Sequence, residues 1–225
     1  SGMITVSDGI ARLYRENFGW EAVVVRNAPV YTAVEFHPTA PAAIQLVHHG
    51  AAIPGRHLED LIHLTSLLDE RFSLTFILVS AKMSYVNYLE RLAARRAPGR
   101  IRFKESVPPG SLAAHLSVYD MGIHLLKAVN LNHLYALPNK LFDFMMAGLG
   151  VAIFPLPEMA GVVEEYRIGV VSSRPSIYSM ATALNDLSAS QIDEFKKNSL
   201  SLAKTLNGDV EMAKLMDVYA RLLST

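Results

Sequence analysis

Two short stretches of this chain collect residue types that bind phosphate. The first is "HHGAAIPGR", residues 48–56, which lies between a strand-like run, "AAIQLV", and a helix-like run, "HLEDLIHLTSLL". Gly50 and the Gly55–Arg56 pair have the spacing of a P-loop, with Arg where Lys belongs. A P-loop cradles phosphate with consecutive amides, reaches the terminal phosphates with Lys and holds magnesium through Ser or Thr. Here Pro54 has no amide, Ile53 is bulky and residue 57 is His. The carboxylate facing magnesium should end a strand, whereas Asp120 precedes the run "MGIHLL". An NTPase loop is therefore set aside, and so is a dinucleotide loop, because G-x-G-x-x-G is absent. What remains is strand, glycine, loop, cation, helix. Gly50 permits close backbone approach, and a cation at Arg56 opposes the helix dipole unless an anion lies nearby. An exposed arginine in a βα turn accounts for the same residues.

The second stretch is "YALPNKLFDFMMAGLGVAIFPLPEMAGVVEEYRIGVV", residues 135–171. Pro138 stops the preceding segment, Asn139 is the expected N-cap of a helix reaching Ala147, and Gly148 is its expected left-handed terminator. Leu141, Phe142, Met145 and Met146 are its core residues. Asn139 and Asp143 are four apart, and Lys140 lies three from Asp143, so an amide, a cation and a carboxylate share the first turns beside backbone amides. That set suits a nucleotide, with Lys140 and the amides on a diphosphate and Asp143 on a ribose diol. A capped helix with a surface ion pair fits equally well. Glu158 opens a further helix, as a carboxylate facing either the dipole or a ligand. His48, His49, His57 and His63 raise the question of a metal. Adjacent strand residues point to opposite faces, and residues six apart do not share a helix face, so turn or surface histidines are expected.

These residues need a scaffold. Nearly continuous apolar runs recur at "ITV", "AVVV", "AIQLV", "LTFILV", "IRF", "MGIHLL", "VAIF" and "GVVSS", the pattern of strands buried on both faces of a parallel sheet. Helical patterns fall between them, over about 55–70, 82–97, 111–117, 139–147 and 158–166, so the spacing predicts a doubly wound, Rossmann-like α/β sheet. A helical tail follows residue 175; its apolar positions Val210, Met212, Leu215, Met216 and Tyr219 predict a packed face. Residues 1–28 read as a strand–helix–strand unit and 29–41 as a linker, leaving 42–225 as the main domain. A lone βαβ piece cannot bury both faces, so 1–28 is expected to belong to a domain otherwise missing. Ser1-Gly2-Met3 looks like a cloning remnant.

Composition narrows the function classes. Hydrophobic residues make up 51% of the 225, enough for a large packed core. Lys plus Arg and Asp plus Glu number 21 each, so no net charge favours nucleic acid as the partner. The absence of Cys excludes disulfides and thiolate metal sites and fits a reducing cytoplasm. No apolar run reaches the roughly 18–20 residues of a membrane span.

The stretch "LPNKLFDFMMAGLGVAIFPLPEMAGVVEE" resembles the donor-binding signature of retaining GT-B glycosyltransferases, specifically the family 4 group, whose members carry forms such as N-K-L-F-E-Y-M-A-A-G-x-P-V followed by P-E-x-x-x-V-V. The likeness extends along the chain. "ITVSDGIARLYRENFG...VVVRNAP" is similar to the end of the family's N-terminal domain, "LVHHGAAIPGRHLEDLI" to its strand–Gly-Arg–loop–Lys-Gly–helix segment, and "IRFKESVPPGSLAAHLSVYDMGIHLL" to the stretch whose Val-Pro turn lies by the base. The resemblance implies the C-terminal, nucleotide-sugar-binding half of such an enzyme. Its donor-binding residues would be Gly50, Arg56, Val107, Asn139, Lys140, Leu141, Asp143 and Glu158. Asp143 falls at the second Glu of the family's E-x7-E motif, which holds the ribose, and Arg56 at a phosphate-binding Lys. Two positions depart: the family's Arg after the glycine falls at Ala51, and the first Glu of the motif at Tyr135. No catalytic residue is assigned. There is no D-x-D pair, so no metal or other cofactor is expected. The partners implied are an NDP-sugar and a glycan or lipid-linked acceptor held by the missing domain, with peripheral membrane association of the full-length protein. A GT-B sugar-nucleotide 2-epimerase and a non-catalytic degenerate transferase domain are the alternatives.

Overall fold

A computed structural model of the protein describes residues 3–79 and 82–224, so Ser1 and Gly2 of the expected Ser1-Gly2-Met3 remnant lie outside it and only Met3 is described. The chain begins with β1 (Met3–Thr5), α1 (Asp8–Phe18) and β2 (Ala22–Val24). After an irregular stretch come β3 (Ile44–Ala51), α2 (Leu58–Leu67), β4 (Phe72–Val79), α3 (Met83–Arg96) and β5 (Ile101–Glu105). A short 3₁₀ turn leads into α4 (Leu112–Leu116), β6 (Met121–His124), α5 (Leu131–Leu134), α6 (Asn139–Met146), β7 (Gly150–Ile153), α7 (Pro157–Glu165) and β8 (Gly169–Val171). The tail is α8 (Ile177–Asn185), α9 (Ala189–Ala203) and α10 (Gly208–Leu223).

Six strands pair in the order β5-β4-β3-β6-β7-β8, all parallel. The chain winds outward from β3 in one direction and then from β6 in the other, which is the Rossmann order. Each central strand is buried on both faces, so its apolar run is unbroken. Leu46, Leu74, Phe76 and Ile123 pack on one side against α2, α3 and α8. Val47, Ile77, Val151 and Ile153 pack on the other against α4, α6, α7 and α9. Strands β1 and β2 form their own two-stranded sheet. Their unit is seated by α1, whose buried Ser7 donates to the Tyr135 carbonyl at 2.9 Å.

Asp120 is absorbed here. It sits before β6, at the sheet end opposite the loops that follow the strands, where its carboxylate meets the buried Lys196 amine at 2.9 Å and accepts the Gln45 amide at 2.8 Å. The tail differs from expectation. Helix α10 buries only Glu211 and Val218, whereas Val210, Met212, Met216 and Tyr219 stand exposed. The helix is held instead at its N-terminal end, where Gly208 donates to the Pro29 carbonyl at 2.7 Å and the Arg26 amide donates to Glu211 at 2.9 Å. Among the described residues, no helix is long and apolar enough to cross a membrane.

Candidate functional site

A parallel sheet whose winding reverses between two strands opens a crevice at their carboxyl ends, because the following loops leave in opposite directions. Here those strands are β3 and β6. A cavity of about 310 Å³ lies there, lined by the end of β3 and the β3–α2 loop (Ala51, Pro54, Gly55, Arg56, His57), the end of β6 and the segment after it (His124 to Lys127), Val129, His133, His48, Leu61 and Lys140.

Helix α6 reaches the cavity by packing tightly onto β6. A Cβ on Gly122 would fall 2.0 Å from the Phe144 ring, so only glycine lets the helix settle there. The N-cap position is Pro138 and no side chain caps the helix, so Asn139 is the first helical residue rather than the cap. Its amide oxygen accepts instead from Asn27 at 2.9 Å. Gly148, at φ +68°, ends the helix as expected; the Leu149 amide bonds back to the Phe144 carbonyl and the Gly148 amide to that of Met145.

Lys140 lines the cavity, and its stem crosses Gly50: a Cβ at Gly50 would lie 2.9 Å from both Cε and Nζ. Gly50 also has φ +125°, a conformation L side chains rarely adopt, so the glycine serves both the strand's exit and the lysine's passage. Burial lowers the Lys140 pKa first, and the Arg56 charge lowers it further, against the opposing pull of Asp143. Lys127, from the other wall, donates to Asp60 at 2.6 Å. Among the described residues, Arg56 and Lys140 make no ion pair and no carboxylate lines the cavity. The site therefore carries surplus positive charge. Lys127 escaped sequence reasoning because Asp60 lies 67 positions away and no local pattern couples them.

The expectation of turn or surface histidines fails at two positions. Strand β3 continues through "HHGA", which buries His48 to 5% exposure and His49 to 8%, on opposite faces. The rings of Phe76 and His124 flank His48, at 6.0 and 5.9 Å between centroids. His49 meets the Phe144 ring edge-on at 5.2 Å, and its Nε2 stands 3.4 Å from Asp143 Oδ2. Burial pushes both imidazoles down, to about 3 for His48 and about 4 for His49, with the Lys140 charge adding to it. Burial, followed by the nearby charges and imidazoles, also lowers His124 far below the ordinary histidine value. His57 adopts a left-handed conformation at the start of α2, and His63 lies further along that helix. Among the described residues, no group of three or more His, Asp or Glu side chains could hold a metal.

Of the residues expected to bind a donor, Arg56 and Lys140 line the cavity, and Gly50 lies against the Lys140 stem just behind its wall. Asp143 lies one helical turn behind Lys140, with 18% of its side chain exposed; burial raises its pKa to about 6. It is set back from the cavity lining, as are Val107, Asn139, Leu141 and Glu158. Leu141 is a core residue, and its amide is already bonded to the Pro138 carbonyl at 3.0 Å. Glu158 faces α1, close beneath Gly9. A second hollow, of about 350 Å³, lies between residues 31–36 and the end of α9, lined in part by Phe36, Met146, Leu200 and Lys204.

No protein-family model and no curated protein matches the sequence. Solved structures do match in fold. A glycosyltransferase from Rickettsia africae superposes with a TM-score of 0.79 at 11% identity, covering 99% of this chain and 64% of that one. Anabaena HepE in complex with UDP gives 0.74 at 12% identity, over 98% of this chain and 64% of that one. A Staphylococcus aureus TarM mutant in complex with fondaparinux, alpha-GlcNAc-glycerol and UDP gives 0.75 at 13%, over 97% of this chain and 43% of that one. The chain thus spans about two fifths to two thirds of the length of these proteins. Its six-stranded Rossmann-like sheet matches the folds of GT-B glycosyltransferases.

Proposed function

We propose that this chain is the donor-binding unit of a retaining, family 4-like glycosyltransferase. It would take a nucleoside-diphosphate sugar and pass the sugar to an acceptor hydroxyl in polysaccharide or glycoconjugate synthesis. One observation carries the reading: Arg56, Lys140 and Lys127 converge on one crevice at the switch point of the sheet, and among the described residues only Lys127 is paired with a carboxylate. A diphosphate would supply the missing negative charge. Cations already in place stabilise the charge that develops on a departing diphosphate without reorganising. They do so without a D-x-D pair, so a divalent metal is not required. The fold likeness to HepE and TarM structures holding UDP supports the same ligand class.

In this reading Asp143 receives the ribose hydroxyls once its contact with His49 loosens, Asn139 and Glu158 border the donor, and Val107 lies by the base. The unit formed by β1, α1 and β2 belongs to a partner domain that holds the acceptor, a glycan or a lipid-linked glycan. Peripheral membrane contact and a cytoplasmic site of action go with such an acceptor. The isolated chain binds donor and does not transfer it. Titration calorimetry with UDP and GDP, with and without EDTA, tests the core of this. The expected result is saturable binding of at least one diphosphate, unaltered by chelation. Binding that disappears with EDTA removes the metal-free reading, and binding of neither diphosphate removes the donor reading. Product analysis on the full-length protein then separates transfer from epimerisation and from no reaction.

A further inference from the structure

A histidine in the cavity wall holds the backbone through one ring nitrogen and leaves the other for the cavity's occupant. His48 lines the cavity while being 5% exposed, and its Nδ1 lies 2.8 Å from the Ile123 carbonyl oxygen. A carbonyl can only accept, so Nδ1 carries the proton. A neutral ring then leaves Nε2 as a bare lone pair, and among the described residues nothing donates to it. Burial in this pocket keeps the ring neutral at physiological pH.

The polarity of that atom decides what can sit over it. A phosphate oxygen is itself an acceptor and is repelled by a second lone pair, whereas a hydroxyl or amide N–H is drawn to it. The cavity is therefore divided, with cations from Arg56, Lys127 and Lys140 for the anion and an imidazole acceptor for an uncharged donor group. We propose that His48 determines donor specificity: its Nε2 accepts a hydrogen bond from a hydroxyl or amide of the sugar, in the same cavity that holds the diphosphate. This rests on the donor reading above and deepens it from the nucleotide to the glycosyl group.

The experiment compares His48→Asn and His48→Gln with the parent chain. Asn keeps an amide donor near the Nδ1 position for the Ile123 carbonyl and removes everything at Nε2. Gln can place its amide oxygen near the Nε2 position. Calorimetry is run with UDP, GDP, UDP-glucose, UDP-N-acetylglucosamine and GDP-mannose, and thermal melting reports folding. For the sugar nucleotide that the parent binds best, His48→Asn is expected to weaken binding about tenfold, the loss of one good hydrogen bond, with the bare diphosphate changed less than twofold. His48→Gln should restore part of the loss. Equal weakening of diphosphate and sugar nucleotide would put His48 in the phosphate subsite and overturn the proposal. So would a folded His48→Asn that binds both as the parent does. A parent that binds neither diphosphate sinks the donor reading itself, and this inference with it.

Discussion

The buried histidines make acid stability a sharp test of the architecture. His48 and His49 titrate at about 3 and about 4 in the folded chain, below the 6.5 of an unfolded histidine. Above pH 6.5 neither state is protonated, so the groups leave stability unchanged. Below it the unfolded chain takes up protons that the folded chain refuses, and stability falls as pH falls. At pH 5 each imidazole has cost about 2 kcal/mol, at about 1.4 kcal/mol per pH unit. Asp143 runs the other way. Its folded value of about 6 exceeds its unfolded 3.8, so below pH 6 the folded chain holds the extra proton and regains about 1 kcal/mol by pH 5. The net loss between pH 7 and pH 5 is about 3 kcal/mol, with His124 adding in the same direction. That is a large share of the roughly 5–15 kcal/mol that holds a domain together. Urea unfolding followed by circular dichroism at half-unit steps from pH 7.5 to 5 measures it, and His48→Gln should flatten the slope by about 1.4 kcal/mol per pH unit. A stability profile level across this range, or an unaltered slope in the folded variant, would refute the burial argument.

Three further substitutions follow from the packing. Gly50→Ala places a methyl group against the Lys140 stem at a φ of +125°; it should cost about 1–3 kcal/mol of stability and weaken UDP binding at least about tenfold, read by melting and calorimetry. Asp143→Asn removes a carboxylate that burial disfavours, so at pH 7 the variant should be at least as stable as the parent while binding UDP about tenfold more weakly. A loss of stability instead would make Asp143 a structural partner of His49. Asp120→Ala strands the buried Lys196 ammonium and frees the Gln45 amide, and should cost about 3–5 kcal/mol in urea unfolding with the cavity unaffected.

The sheet was legible because its strands are short apolar runs with helical patterns between them, and a strand buried on both faces needs no alternation. The end of β3 was not legible. "HHGA" carries no apolar signal, and its burial depends on Phe76 and Phe144 closing over it from β4 and α6. Helix α5 spans only Leu131–Leu134, too short for periodicity; its one local cue is the Asn130 side chain accepting from the His133 amide at 2.8 Å. The amphipathic pattern of α10 was read correctly as a pattern, yet its apolar stripe faces outward, because periodicity names a face without saying what covers it. At the site, Arg56 and Lys140 were accessible from loop and helix-start chemistry. Lys127 and the His48 acceptor were not, since both owe their roles to residues distant in sequence.

The central claim, that a nucleoside diphosphate binds between β3 and β6, is tested most directly by mapping backbone amide shifts in isotope-labelled chain on titration with UDP and GDP. The account predicts the largest changes at Gly50, Ala51, Gly55 and Arg56, at Leu125 to Lys127 and at Lys140, saturating together with one dissociation constant. Changes centred instead on the hollow lined by Phe36, Leu200 and Lys204, or no saturable change at all, would contradict it.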